Sequence, residues 1–307
     1  MPGMDSNLRG IGIALFGALV IVPDTLLMRL SGLSAAQMVA WRGLLMAAAL
    51  WSVWLVLSRD RRGDLAALAT PAGLGAAACQ AANASLFAYG IAHAPVAVVL
   101  VAVATVPLLS GLLGAMALGD RMTPSTLAAS AVVLGGIALS VSGGGGAGGQ
   151  GSALFGAVAG LGVAAILAAT FTIFRAAPDL PVLSTMGAGA LAAGLAAALS
   201  VESMTRTDGW LPAIWIAGLV ILPVSFTAFN VASRYTVAAN VSLLLLLETV
   251  LGPLAVWAAI GEAVGPRALL GGGVVVATLA VYLWDQRRRT IRGRRAAALY
   301  PSSAAPR

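Results

Sequence analysis

The chain has 307 residues, of which 60% are hydrophobic and only 9% are charged. A soluble domain carries about 25% charged residues, so this composition excludes a water-facing surface over most of the chain and favours one that faces lipid. The formal net charge of +7 is due largely to six arginines between Arg287 and Arg295. That charge therefore indicates membrane orientation rather than a nucleic-acid partner.

Ten apolar stretches are long enough to cross a bilayer, for which a helix needs about 20 residues. The first stretch exceeds the apolar core of a signal peptide and has no small-residue cleavage site, so we interpret it as a helix. The sequence thus predicts an all-α membrane protein. The stretches lie at 10–30, 34–57, 71–92, 95–118, 125–142, 152–174, 182–201, 210–233, 237–260 and 267–284.

A run of almost pure glycine at residues 143–151 marks the middle of the chain and is typical of a flexible linker. No lysine follows it in phosphate-loop spacing, so it does not predict nucleotide binding. The run separates a first five-helix unit at residues 8–142 from a second at 152–285, and a basic tail at 286–307 follows.

The arginines predict the orientation. With both termini in the cytoplasm, the inner segments contain fourteen arginines and the outer loops three. An excess of arginine on the cytoplasmic side is the usual pattern. The expected location is the plasma membrane, and the arginine, alanine and glycine bias favours a bacterial source.

The two halves of the chain resemble each other. A shift of 142 residues places the Gly-Asp pair at 119–120 on the Gly-Glu pair at 261–262, and Pro124 on Pro266. Five helices per half is an odd number, so the second half enters the membrane from the opposite side. The sequence therefore predicts two inverted five-helix repeats, a ground plan common among secondary transporters.

Three charged residues fall inside predicted membrane helices, where a charge costs about 2.5–3.5 kcal/mol on insertion scales. Asp24 and Arg42 lie about 9 and about 12 Å from the outer ends of neighbouring helices. We expect them to form an ion pair, whether as a structural clip or as part of a substrate site; the alternative is that Arg42 extends to the membrane surface. Glu248 lies near the bilayer centre after five leucines, so it suits proton coupling, a cationic substrate, or a hydrogen bond to a neighbouring helix.

Two helices carry polar residues that could line a pathway. Gln80, Asn83 and Phe87 are spaced to share one face of the third helix. They either line a cavity or bond a neighbouring helix. Asn230 is the best pathway candidate on the eighth helix.

The sequence resembles the drug/metabolite transporter superfamily, and specifically proteins with two EamA-type domains. In the first half the resemblance rests on residues 94–139, which read APVAVVLVAVATVPLLSGLLGAMALGDRMTPSTLAASAVVLGGIAL, with Asp120 in place of the more common Glu. In the second half it rests on residues 233–272, which read SRYTVAANVSLLLLLETVLGPLAVWAAIGEAVGPRALLGG. There Glu248 matches the family's Glu, and Thr249 replaces the usual Pro.

The resemblance implies a secondary transporter that moves a small organic solute by alternating access, with protons as a candidate coupling ion. Amino acids and their derivatives, nucleosides and apolar drugs all fit it. An intramembrane enzyme would need a nucleophile–base pair or a metal cluster, and one His and one Cys argue against both. A non-transporting scaffold or sensor is the other alternative. We expect no cofactor and no metal site.

The topology can be tested with single cysteines in a Cys79→Ser background. Arg61→Cys should react with an impermeant thiol reagent only from the cytoplasmic side, and Ala147→Cys only from outside, because the arginine excess places residue 61 inside. Labelling in intact cells and in inverted vesicles measures both. Reaction of both cysteines from the same side would contradict the odd number of helices per half.

Overall fold

A computed structural model describes residues 4–118, 124–142, 152–235, 238–261 and 265–299. All regular secondary structure in these residues is helical, as expected in a bilayer, where no water is available to bond free backbone groups. The predicted linker at 143–151 and the turns at 119–120 and 262 lie outside the described residues. The helices are α1 (Met4–Ile21), α2 (Asp24–Ser31), α3 (Ala35–Leu57), α4 (Arg61–Leu68), α5 (Pro71–His93), α6 (Val96–Val103), α7 (Val106–Leu118), α8 (Pro124–Ser142), α9 (Ala153–Ala176), α10 (Val182–Ala198), α11 (Pro212–Ile216), α12 (Leu222–Tyr235), α13 (Ala238–Ile260) and α14 (Pro266–Leu299), with a π-helical segment (Ala217–Ile221) between α11 and α12.

Length and apolar composition identify five candidate membrane spans among the described residues, and six if α4 and α5, bent by 75°, form one. Three further apolar helices are shorter. The chain is thus a multi-pass helical protein, but the predicted count of ten crossings is not confirmed. The spans are Arg9–Ser31, Ala35–Leu57, Val96–Ala117, Ala153–Ala176 and Pro212–Tyr235.

The structure interrupts several stretches that the sequence predicts as single helices. The first is divided into α1 and α2 at Pro23, and the fourth into α6 and α7 shortly before Pro107. Proline has no backbone N–H and its ring clashes with the preceding turn, so a helix readily breaks there. The predicted connection at 59–64 is partly helical, because α4 begins at Arg61, and α14 continues well beyond residue 284.

One end of the bundle is defined by three connections that touch. The carbonyl of Leu30 accepts a hydrogen bond from the backbone N–H of Trp210 at 2.7 Å, which joins the α2–α3 connection to the α10–α11 connection. Arg29 donates to the carbonyl of Ala94 at 2.9 Å, which adds the α5–α6 connection. We call this the first end; α9 also begins here, because the ring of Phe155 lies 6.2 Å from that of His93.

The opposite, second end is formed by the α3–α5 and α9–α10 connections. Helix α4 packs against α10 there. Arg234, in the last turn of α12, donates to the carbonyl of Leu180 in the α9–α10 connection. Successive long helices therefore run alternately from one end of the bundle to the other.

The segment at residues 199–211, between α10 and α11, is held at the first end by side chains of α3. Gln37 donates to the carbonyls of Ser203 and Arg206 at 2.7 and 2.9 Å, and the indole N–H of Trp41 donates to the carbonyl of Met204 at 2.7 Å. The other amide atom of Gln37 completes the capping box at the start of α3. The segment thus closes over the first end without regular structure of its own.

Helices α3 and α10 touch through their backbones. A Cβ atom on Gly43 would lie 2.7 Å from the Cα of Gly194, and one on Gly194 would lie 2.6 Å from the backbone nitrogen of Leu44. Real Cβ atoms do not approach backbone so closely, so glycine is required at this crossing. Small residues at helix crossings are typical of membrane bundles.

We therefore expect Gly194→Ala to destabilise the protein by about 1–3 kcal/mol, the usual range for overpacking. Gly273→Ala is the matched control, because a Cβ at Gly273 meets nothing within 4 Å. Thermal unfolding in detergent measures both variants. Equal unfolding temperatures for the two would show that α3 and α10 do not pack as described.

Candidate functional site: a central cavity

A cavity lies between the helices and receives side chains from both halves of the chain; the empty space at this site, including the part open to solvent, is about 670 Å³. Its lining combines apolar groups with five polar ones, and it includes every site residue predicted from the sequence except Asn230. The polar lining residues are Asp24, Arg42, Gln80, Asn83 and Glu248. The larger apolar ones include Met46, Phe87, Phe171, Phe226 and Phe229.

The predicted ion pair between Asp24 and Arg42 is confirmed. The two guanidinium Nη atoms of Arg42 donate to the two carboxylate oxygens of Asp24 at 2.8 and 2.9 Å. Both residues are buried, with 1% of Asp24 and 5% of Arg42 exposed. This two-pronged geometry is the strongest arrangement of an arginine with a carboxylate, so each charge is neutralised by the other.

The break at Pro23 explains why an aspartate is tolerated in this buried position. Since α2 begins at Asp24, the carboxylate occupies the first turn of a helix. The backbone N–H groups there are not bonded within the helix, and the helix dipole favours a negative charge. The proline thus creates a local helix start, which stabilises the charge that follows it.

Arg42 also lies close to an aromatic ring. Its guanidinium carbon lies 5.8 Å from the centre of the Phe87 ring, within the range of a cation–π contact. The π-helical segment packs closely against α3 at Arg42. A Cβ atom added to Gly218 in that segment would lie 3.4 Å from the Cα of Arg42. Unusual helical turns of this kind occur often at functional sites.

Glu248 is buried, with 4% exposed, and its Oε1 atom has no hydrogen-bond partner among the described residues. The next residue, Thr249, donates to the carbonyl of Leu100 at 3.4 Å, which ties α13 to α6. Gly252 lies one turn after Glu248 on α13 and faces α2. A Cβ atom added to Gly252 would lie 3.8 Å from the Cγ of Glu248 and 3.2 Å from the Oγ1 of Thr25. Glu248 therefore lies beside α2 and within electrostatic reach of Asp24 and Arg42.

Gln80, Asn83 and Phe87 all line the cavity, and Gln80 also contacts a neighbouring helix. The amide nitrogen of Gln80 lies 3.6 Å from the sulfur of Met46, a weak contact. The Oδ1 of Asn83 is buried without a partner among the described residues.

Asn230 is fully buried but is not among the cavity-lining residues. Its Nδ2 donates to the carbonyl of Phe226 one turn earlier, at 2.8 Å. One residue turns a helix by about 100°, so Asn230 lies beside the face that Phe226 and Phe229 present to the cavity. Phe226 was not predicted from the sequence, although its i, i+3 spacing with Phe229 marks that face.

Residues 8–142 match the EamA-like transporter family. This match suggests a membrane transporter of the drug/metabolite transporter superfamily. Members of the family are transporters rather than enzymes. The match covers the first half of the chain, which supplies Asp24, Arg42, Gln80 and Asn83 to the cavity.

The fold is shared with solved structures, of which eleven chains match. One of them, described as "Crystal structure of protein", has a TM-score of 0.66 and 19% sequence identity, over 91% of this chain and 98% of that chain. At this identity the likeness concerns the fold alone. No curated protein matches the sequence.

The ion pair can be tested by a double-mutant cycle. Asp24→Asn or Arg42→Gln alone should destabilise the protein by about 3–5 kcal/mol, because each leaves a buried charge unpaired. The double variant should lose less than the sum of the two single losses. Thermal unfolding in detergent measures all three, and additive losses would show that the two side chains do not interact.

Proposed function

We propose that the protein is a secondary transporter that moves a small organic solute across the plasma membrane by alternating access. The observation that carries the proposal is the central cavity, because its polar lining comes from both halves of the chain: Asp24 and Arg42 from one, and Glu248 from the other. Buried ionisable groups among membrane helices are costly and typically mark substrate or ion pathways.

The helix packing supports two repeats. We count α1 with α2 as the first helix of the first half, and α6 with α7 as its fourth. The second helices of the two halves, α3 and α10, then pack together. The fifth helices, α8 and α14, also pack together. The third helix of each half packs on the first helix of the other, in the pairs α5–α9 and α12–α1. The fourth does the same, in the pairs α6–α9 and α13–α1. Exchanging the halves leaves this set of pairs unchanged, as a two-fold relation requires.

The repeats are proposed to be inverted. The first half begins with α1, whose continuation α2 reaches the first end, so α1 starts from the second end. The second half begins with α9, which starts at the first end beside His93. Halves that enter the bundle from opposite ends, around a site between them, are the ground plan of many secondary transporters.

The arginines favour a cytoplasmic second end, and with it cytoplasmic termini. Arg59, Arg61, Arg62, Arg175 and Arg234 lie at or near the second end. The first end has Arg29 and Arg206, and Arg267 lies at the start of α14, which begins on that side. This agrees with the usual excess of arginine on the cytoplasmic side.

Glu248 is the proposed coupling group. Asp24 and Arg42, the other charged groups that face it, are engaged with each other. Glu248 can therefore gain or lose a proton, or release a bound cation, without breaking an ion pair. A carboxyl group that exchanges a proton for substrate links the two movements.

The test is solute uptake by the purified protein in liposomes, with and without a pH gradient. We expect the natural protein to accumulate at least one solute of a small-molecule panel under a gradient. Glu248→Gln, which keeps shape and hydrogen bonding but cannot ionise, should lose gradient-driven accumulation by about tenfold or more.

Glu202→Gln is the matched control, because it makes the same change at an exposed position outside the cavity, and it should transport like the natural protein. Gradient-driven uptake that is unchanged in Glu248→Gln would reject the coupling role. Failure of the natural protein to move any solute would reject the proposal that it is a transporter.

A further inference from the structure

The cavity contains hydrogen-bond acceptors that the protein itself does not use. The Oε1 of Glu248 and the Oδ1 of Asn83 are buried without a partner among the described residues, and both side chains line the cavity. An unsatisfied buried acceptor is unfavourable, so a ligand that donates hydrogen bonds would bind more tightly here than one that only accepts them. An amide can rotate to present its N–H₂ group instead, whereas an ionised carboxylate only accepts. Glu248 therefore determines the preference of the cavity for ligands that donate hydrogen bonds.

The charges of the cavity favour a cation. Among the described lining residues, Arg42 is the one with a positive charge, and it is bonded on both Nη atoms to Asp24. An ionised Glu248 leaves the cavity with one net negative charge. A carboxylate ligand would add a second negative charge without meeting a free cation, while a monovalent cation restores neutrality.

The apolar part of the lining is rich in aromatic rings. Phe87, Phe171, Phe226 and Phe229 come from α5, α9 and α12, so the rings surround the cavity from several sides. The face of an aromatic ring attracts an ammonium group, and its large apolar surface suits a hydrocarbon body.

We propose that the ligand of this cavity is a primary or secondary ammonium compound with an apolar body and no carboxylate, and that Glu248 and Asn83 accept its N–H groups. The proposal names the substrate class of the transporter proposed above. A quaternary ammonium ion has the charge but no N–H group, so it is expected to bind more weakly.

Binding can be measured without transport, by calorimetry on the purified natural protein in detergent. The probes are 2-phenylethylamine, its N-trimethylated derivative, 2-phenylethanol and 3-phenylpropionate, which share a phenyl body and differ in charge and donors. We expect the amine to bind about tenfold or more tightly than the other three, the usual consequence of a charge-assisted hydrogen bond. Equal affinity for the alcohol, tighter binding of the carboxylate or the quaternary ion, or no amine binding at millimolar concentration would each overturn the proposal.

Two variants test whether Glu248 is responsible for the tighter binding of the amine. Glu248→Gln should lower the affinity for the amine by about tenfold or more and leave that for the alcohol nearly unchanged, because the charge is lost and the shape is kept. Thr185→Val is the control: its hydroxyl is also buried without a partner among the described residues, but Thr185 does not line the cavity. It should bind the amine like the natural protein, and a loss as large as that of Glu248→Gln would contradict the site. If Glu248→Gln does not fold, the probe series on the natural protein decides alone.

The result is separable from the transport test. Amine-selective binding without uptake of any solute would reject the transporter and keep the binding site. Uptake of other solutes without amine selectivity would keep the transporter and reject the substrate class.

Discussion

The ion pair between Asp24 and Arg42 is the interaction around which the cavity is arranged. A charge surrounded by membrane helices has no water to stabilise it, so it must find its partner within the protein. The pair joins α2 to α3 and sets Arg42 against Phe87 on α5. Three helices of the first half are thereby fixed at one wall of the cavity. Glu248 approaches this wall from the second half, and Arg42, the basic residue of the described lining, is already bonded to Asp24.

Helix irregularities accumulate around the same cavity. Pro23 precedes Asp24 directly, the α6–α7 break follows Val103 of the lining, and the π-helical segment ends just before Leu222 of the lining. Pro253 lies within α13, five residues after Glu248. Irregular backbone in a bilayer is tolerated where it is buried in protein or lines a cavity. These breaks place helix ends and bends next to the binding space, where a change of helix direction alters its shape.

Several features of the site were predictable from the sequence because they depend on depth or periodicity. Asp24 and Arg42 lie at similar depths on consecutive helices, and Gln80, Asn83 and Phe87 share a helical face. Asn230 shows the limit of that reasoning, because a polar side chain in a membrane helix can also bond to its own backbone, as the Nδ2 of Asn230 does to the carbonyl of Phe226. Phe171 shares a face of α9 with Val163 and Leu167 at i, i+4 spacing, but α9 is apolar over most of its sequence, so only its packing shows that this face meets the cavity. The hydrogen bonds of residues 199–211 depend on contacts across more than 160 positions and could not be read from local pattern.

Those bonds have a consequence for the kinetics of the molecule. They lie at the end of the bundle, where separated groups meet water at once, so each exchanges for a bond to solvent at a net loss of only about 0.5–1.5 kcal/mol. The Asp24–Arg42 ion pair lies deeper in the protein, where no bond to water replaces it. Opening the pair would leave two buried charges without a partner. The activation barrier for opening should therefore be lower at the 199–211 segment than at the ion pair. Thermal fluctuation would hydrate and detach the 199–211 segment many times for each rupture of the Asp24–Arg42 pair, and its amide hydrogens should exchange with deuterium far sooner than those of α2 and α3.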